Sequence, residues 1–358
     1  SRDGFYSALI SKNIPLLKSQ IKFSSLKQGR VRDPITGEEP GKIHHEYPGV
    51  FNKEKQKCTT YNACDTTALY LIGHHQYFNL TGNSHLIKKY KSNIESAIGY
   101  IKSHLNENHL FVECPSFSGS DDFALGVTYW KDSSLKNRDK VSYPVSYSVV
   151  QAQYIEALRC ASELIDDKSL ESLSEKMLFT FNKYLYDDTK RLHFLAIDAK
   201  GPISLVNSDI LHMLCFLRKG DLSDTQLESI IKLSQNLETP VGYRTLDPAS
   251  SSDVIGEIEI KQGYHESTVW PFEQAIIHKG ANNFNLENNI IDGGNARYFS
   301  YGILNNSSSP MINNNSINGG TSRNGSSAVF NISGSSPIVQ NNTISGGTSS
   351  SGYTYGLF

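Results

Sequence analysis

The sequence predicts a mainly α fold in two concentric helical layers, followed by a short β-solenoid, and three observations carry that expectation. Helical periodicity recurs through roughly the first 280 residues, one helix is apolar on every side, and the tail repeats at a fixed period. Ile94, Ile98, Ile101 and Leu105 mark one apolar helical face, as do Val150, Tyr154, Leu158, Ala161 and Ile165, and then Leu173, Met177, Phe181 and Leu185. Ala68-Leu69-Tyr70-Leu71-Ile72 has no polar face, so its helix must be surrounded by protein. Amphipathic helices packed around such buried ones make an outer layer on an inner layer.

Taken in order, helices are expected over 5–20, 62–80, 94–105, 150–165, 173–185, 207–218, 224–236 and 268–279, with start signals at residues such as Asn83, Ser208 and Asp224. Leu110-Phe111-Val112-Glu113 and Leu192-His193-Phe194-Leu195 read as hairpin pieces in loops, too few for a central sheet. In the tail, Asn288-Asn289-Ile290-Ile291-Asp292-Gly293-Gly294 returns as Asn314-Asn315-Ser316-Ile317-Asn318-Gly319-Gly320 and as Asn341-Asn342-Thr343-Ile344-Ser345-Gly346-Gly347. The offsets are 26 (314 minus 288) and 27 (341 minus 314), and Pro310 returns as Pro337. Asn ladders, Gly pairs at corners and short β-prone triplets suit the rungs of a solenoid. Two domains are therefore expected, 1–280 and 281–358.

Composition narrows the function. A formal net charge of -2 leaves no basic footprint for nucleic acid or an anionic membrane, and no apolar run reaches spanning length. Cys58, Cys64, Cys114, Cys160 and Cys215 are odd in number and lack paired spacing, so reduced or buried thiols are expected rather than a disulfide framework or a zinc site. The chain opens on Ser1 and not Met, so it is expected to be a fragment whose missing N-terminus hides any targeting signal. Localisation and oligomeric state stay open.

The chemistry concentrates in Gly263-Tyr264-His265-Glu266-Ser267-Thr268-Val269-Trp270-Pro271-Phe272-Glu273 and in Tyr129-Trp130-Lys131-Asp132-Ser133. Sugar rings lie on aromatic faces, their hydroxyls need charged partners, and cleaving a glycosidic bond takes an acid and a base or nucleophile, usually two carboxyl groups. Asp132, beside Trp130 and Lys131, is the candidate acid, with a turn-capping aspartate as the plainer alternative. Glu266 and Glu273 both remain candidates for the base. Pro271 marks a helix start, which places Glu273 in the first turn near the positive helix end, whereas Glu266 precedes the helix. His44-His45-Glu46 reads as a polar substrate-binding loop, because adjacent histidines rarely share one metal ion. Asp65 opens the buried helix, where it caps or grips a hydroxyl, and Arg244 could hold a carboxylate in place or be a solvated surface arginine.

In order, Gly41-Lys42-Ile43-His44-His45-Glu46, Asn62-Ala63-Cys64-Asp65-Thr66-Thr67, Trp130-Lys131-Asp132-Ser133, Thr239-Pro240-Val241-Gly242-Tyr243-Arg244-Thr245-Leu246 and Tyr264-His265-Glu266-Ser267-Thr268-Val269-Trp270-Pro271 resemble segments of the amylo-alpha-1,6-glucosidase family, over residues 5 to 280. The resemblance implies an (α/α)6 toroid, inverting hydrolysis of an α-linked glucosyl unit of an oligo- or polysaccharide, and no cofactor or metal. It puts the general acid on Asp132 and the base on Glu266 or Glu273. Glu46, Asp65, Trp130, Lys131, Arg244, Tyr264, His265 and Trp270 then bind substrate. The first helices of the toroid are missing from this chain, and its closing helices are replaced by the repeat, an arrangement that would leave inner apolar faces exposed. The repeat resembles the right-handed parallel β-helix tails of bacterial surface proteins. Two other functions fit the same residues: a related toroid hydrolase of small α-glycosides such as glucosylglycerate, and a non-catalytic carbohydrate-binding surface module.

Overall fold

Asn13 and Pro15 decide the first helical hairpin. In this computed structural model α1 (Arg2–Ser11) stops at Lys12, whose φ of 52° is left-handed, and the Asn13 side chain accepts the Leu16 N–H to start α2 (Ile14–Leu26). The single helix expected over 5–20 is thus two helices, because Asn13 supplies a cap and Pro15 suits only a first turn. The structure describes residues 1–132, 141–247, 268–284, 289–292, 294–306, 311–313, 315–340 and 342–357. They fall into two compact units, Ser1–Phe284 and Asn285–Phe358.

The first unit continues with α3 (Thr66–Thr81), α4 (His85–Lys89), α5 (Lys91–Ser103), α6 (Ser148–Ile165), α7 (Lys168–Tyr184), α8 (Asp209–His212), α9 (Asp224–Ser234) and α10 (Pro271–Phe284). The expected helix over 207–218 is shorter than its apolar pattern suggests: α8 tightens into a 3-10 turn, Met213–Cys215. The last helix runs past 279 to Phe284. Gly280 lets it do so against α8, since a Cβ there would lie 2.8 Å from the Cys215 amide nitrogen.

Five of these helices form an inner circuit: α1 touches α3, α3 touches α6, α6 touches α8 and its 3-10 extension, those touch α10, and α10 touches α1. Every residue of α3 from Thr66 to His74 is buried, which is what a helix without a polar face requires. Outside them, α2 lies on α1 and α3, α5 on α3 and α6, α7 on α6, and α9 on α8. The seam between α1 and α10 is closed by Tyr6 and Phe272, whose rings are 5.8 Å apart. Among the described residues α1 and α10 are thus in direct contact, where the sequence led us to expect an open gap.

Loops between helices carry only small sheets, such as Ser146–Tyr147 with Ala196–Asp198 and Gly201–Ile203. Leu192–His193 pairs with Tyr186–Asp187 as a hairpin, whereas Phe111 and Glu113 make single bridges to Leu105 and Val145. The long loop before α3 is anchored from within. Lys42 is fully buried, 3.0 Å from Glu39 Oε1 and 3.4 Å from Glu113 Oε1, and His104 Nε2 lies 2.9 Å from Glu39 Oε2. Burial opposes a charge on Lys42, but Glu113 and Glu39 outweigh it and hold the ammonium protonated.

Among the described residues of the second unit every strand pairing is parallel. Asn289–Asp292 lies on Asn315–Asn318, which lies on Thr343–Ser345, so that the backbone places Ile291, Ile317 and Ile344 at one register position. Phe299–Asn306, Gly325–Ile332 and Tyr353–Leu357 form a second such stack, and Met311–Asn313 pairs with Ile338–Gln340. Asn305 donates its side-chain amide to Asn331 at 2.7 Å, and Asn315 of the second Asn pair donates to Asn342 of the third at 3.0 Å. Gly294, Gly320 and Gly347 occupy the same repeat position with φ of 66°, 76° and 79°. Only glycine suits that corner, since a Cβ on Gly320 would sit 2.3 Å from the Gly294 carbonyl oxygen. The small sheets enclose Ile317, Ala328 and Val329, with Ile303, Val339 and Ile344 packed on them. Among the described residues no helix is long and apolar enough to cross a membrane, and all five cysteines are free thiols.

Candidate active site

The N-terminal ends of the inner helices converge on one group of charged side chains. Arg2 begins α1, Asp65 precedes α3, Asp209 begins α8 and Glu273 sits in the first turn of α10. Helix starts present unpaired N–H groups and a partial positive charge, which favour carboxylates. All three acids are buried.

Arg2 joins the candidate acid to the helix mouth. Its Nε donates to Asp65 Oδ2 at 2.8 Å and its Nη1 donates to Asp132 Oδ2 at 2.9 Å. His45 completes the group, with Nε2 at 3.2 Å from Arg2 Nη1 and 3.6 Å from Asp132 Oδ2. Burial, reinforced by the Arg2 cation, lowers the His45 pKa to about 2, so the ring is neutral there. Asp132 keeps 27% of its side chain exposed while Arg2 keeps 5%. Burial raises the Asp132 pKa, and this outweighs the opposing pull of Arg2. A carboxyl group held protonated at higher pH than usual, yet reachable from solvent, is what proton donation to a leaving group asks for.

The two residues before Asp132 turn the other way. Trp130 Nε1 donates to Asp209 Oδ1 at 2.7 Å, Lys131 Nζ lies 3.1 Å from the same oxygen, and the Tyr129 hydroxyl donates to Asp209 Oδ2 at 3.0 Å. Lys131 also donates to Asn207 Oδ1 and to the Thr245 carbonyl, each at 3.2 Å. Trp130 and Lys131, expected to bind substrate, are thus buried and engaged with Asp209, which fixes the stretch of chain that carries Asp132.

Glu273 is sealed in the interior. Its Oε1 accepts from the Ser208 hydroxyl and lies 3.8 Å from His212 Nδ1, while His212 Nε2 is 3.0 Å from the Tyr6 hydroxyl, to which Gln153 donates at 2.6 Å. Donor atoms of Asp209, His212 and Glu273 all lie within 4.8 Å of one another. They do not suit a divalent ion, because both Asp209 oxygens are already engaged and the Lys131 ammonium stands beside one of them. Asp209, Ser208 and Tyr6 are hydrogen-bonded within the group, whereas His212 Nδ1 and Glu273 Oε2 are buried without a hydrogen-bond partner among the described residues.

Glu46 accepts from the Thr59 hydroxyl and is 42% exposed. Arg244 donates to the Asn236 carbonyl at 3.1 Å, and the Trp270 ring lies 6.1 Å from that of Phe272. Tyr264, His265 and Glu266 lie outside the described residues. His45 belongs to the loop read from sequence as polar and substrate-binding, and two participants were missed: Arg2 and Asp209. Asp209 was hidden in an expected helix start, Asn207-Ser208-Asp209. Arg2 carried no local signal, since its role depends on Asp65 and Asp132, far along the chain.

No protein-family model matches the chain, and no curated protein matches it in sequence. Solved structures do match in shape. An uncharacterized conserved protein from Thermus thermophilus superposes with a TM-score of 0.55 at 12% identity, over 80% of this chain and 80% of its own. The GH63 mannosylglycerate hydrolase of the same organism, solved in complex with glucose, gives 0.54 at 13% identity over 80% of each chain. Some other matched chains are much longer: this one spans 18% of a GH78 rhamnosidase from Bacillus sp. GL1, at a TM-score of 0.37 and 13% identity over 51% of this chain, and no argument rests on it. The shared fold is mainly α and of the α/α toroid type found in glycosidases.

Proposed function

We propose that residues 1–280 are a glycoside hydrolase that cleaves α-linked glucosyl units by inversion, of the amylo-alpha-1,6-glucosidase (debranching) type, with Asp132 as general acid. The observation that carries this reading is the Asp132 carboxyl itself, raised in pKa by burial yet partly exposed, beside Arg2 and Asp65 at the mouth of the inner helices. Asp132 would protonate the departing glycosidic oxygen while a second carboxylate activates water on the opposite face of the sugar. A base must reach that water. The complete burial of Glu273 and its bond to Ser208 favour Glu266 as the base, with Glu273 positioning α10 through His212. Asp65 and Glu46 would bind hydroxyls, Trp270, Tyr264 and His265 would border the sugar, and Trp130 and Lys131 would act by fixing Asp132 in place. The acid–base pair should then stand roughly 6.5 to 9.5 Å apart.

A second reading within the same chemistry is a hydrolase of small α-glycosides such as glucosylglycerate. The likeness to the GH63 mannosylglycerate hydrolase supports it. For the repeat expected from residue 281, which begins after α10 and so lies within Asn285–Phe358, we infer a short parallel β-solenoid, supported by the parallel stacks and the Asn–Asn side-chain bonds. Incubating the full chain with an α-1,6-linked glucosyl oligosaccharide and, separately, with glucosylglycerate, and assaying released sugar, tests the choice. Release from the first supports the debranching type, release from the second alone supports the alternative, and release from neither, by a folded chain, removes both.

A further inference from the structure

The second unit has two basic residues in its whole length, Arg297 and Arg323. Asn295 and Ala296 pair with Thr321 and Ser322, and Phe299 pairs with Gly325, so the two arginines hold the same position on successive rungs, with backbones about 4.8 Å apart along the stack. Ser350 takes that position on the third rung, since Ser322 pairs with Ser349. Both arginines line one open cleft of about 650 Å³ together with Thr321, Thr348, Ser349 and Ser350, and no acid among the described residues lines it. Neither forms an ion pair among the described residues, and Arg297 lies 5.3 Å from the Tyr298 ring centre. The backbone of Arg323 is held in place: its carbonyl accepts from the Ser349 and Ser351 hydroxyls at 2.9 and 2.7 Å and from the Ser351 amide at 2.9 Å. Like charges one strand spacing apart repel, and an anion between them relieves that repulsion.

We propose that this cleft binds an acidic polysaccharide, with a carboxylate or sulfate group set between the Arg297 and Arg323 guanidiniums and the neighbouring sugar atoms hydrogen-bonded to Thr321, Thr348 and Ser350. The site lies wholly in the second unit and does not depend on the hydrolase reading. A guanidinium is planar and presents paired N–H donors that match an oxyanion, while Ser and Thr side chains donate and accept at once, as sugar groups require. Apolar sugar faces also find a surface. Tyr298 and Phe299 follow Arg297 directly and are exposed, and the Phe299 and Tyr301 rings are nearly parallel, at 3° with centres 6.4 Å apart. Nucleic acid fits less well: its binding comes chiefly from neutralising several phosphates in a row, which two cations do not supply, whereas hydroxyls and ring faces add contacts that need no charge.

Binding of the full chain to immobilised polygalacturonate, dextran sulfate, neutral dextran and single-stranded DNA tests this, run on wild type, Arg297→Gln, Arg323→Gln and Lys53→Gln. Both arginines are exposed, so their variants should keep the fold, which circular dichroism checks. Wild type should bind at least one of the two acidic polysaccharides and not dextran; the tighter of the two assigns the anionic group as carboxylate or sulfate. Hydrogen bonds to charged groups imply that each arginine variant weakens that binding about tenfold or more. Lys53→Gln removes an exposed charge from the first unit and should leave it unchanged. Failure to bind either acidic polysaccharide, unchanged binding in both arginine variants, equal weakening by Lys53→Gln, or equally tight binding of dextran or DNA overturns the site. Sugar release from a neutral glucosyl substrate should be the same in wild type and both arginine variants. A chain that binds acidic polysaccharide through these arginines but hydrolyses nothing would sink the hydrolase reading and leave this site standing.

Discussion

At the scale of single residues, two opposed influences meet on Asp132. Burial raises its pKa and Arg2 lowers it, with burial the larger. An acid catalyst loses activity as pH rises through its pKa, so the alkaline limb of kcat/KM should report this carboxyl, above its ordinary value. Arg2→Met removes the opposing cation and should move that limb to higher pH. A limb that stays in place or moves to lower pH contradicts the assignment. Buried histidines give a separate pH effect. Burial lowers the pKa of both His74 and His193 to about 3, against 6.5 when exposed. Their contribution to stability is fully present above pH 6.5 and is lost as pH falls toward 3, because the unfolded chain takes up protons that the folded one refuses. Urea unfolding across that range should show the decline, and it should be shallower in His193→Phe. The burial of these two histidines was legible only in part: His74 lay on the helix without a polar face, whereas nothing in Leu192-His193-Phe194 announced burial.

At the scale of elements, the helices were legible where their apolar residues recur, as in α5, α6 and α7, and illegible where a single cap overrides the period. Asn13 with Pro15 split an otherwise continuous pattern, and α8 collapsed into a 3-10 turn against α10. The site followed the same division. The segment from Gly41 to Glu46 was chosen from sequence for its polar end, but its first residues are structural. Gly41 has a φ of 86° and lies so close to α5 that a Cβ would fall 2.1 Å from the Ser96 carbonyl oxygen, while Lys42 is locked between Glu39 and Glu113. Lys42→Met strands two buried carboxylates and should destabilise the protein by about 3–5 kcal/mol, measured by urea unfolding. A change under about 1 kcal/mol would show that the cluster is not holding this loop.

At the scale of the whole molecule, the chain joins a mainly α unit to a unit of stacked parallel strands, and the composition change near residue 280 announced that difference because each architecture draws on its own residue types. What sequence could not announce was closure. The direct contact of α1 with α10 depends on Tyr6 meeting Phe272, residues with no shared motif. Every candidate acid, base and hydroxyl-binding residue lies before Phe284, so a chain ending there should fold and retain the kcat/KM of the full chain within about twofold; a loss of activity in a folded fragment would assign the second unit a part in the reaction. The central claim is that Asp132 delivers a proton in an inverting hydrolysis. Proton NMR of the sugar first released from an α-linked glucosyl substrate tests it most directly. The account predicts β-glucose as the initial product with wild type and no detectable release over the same time with folded Asp132→Asn; α-glucose as the initial product, or equal release by the variant, would contradict it.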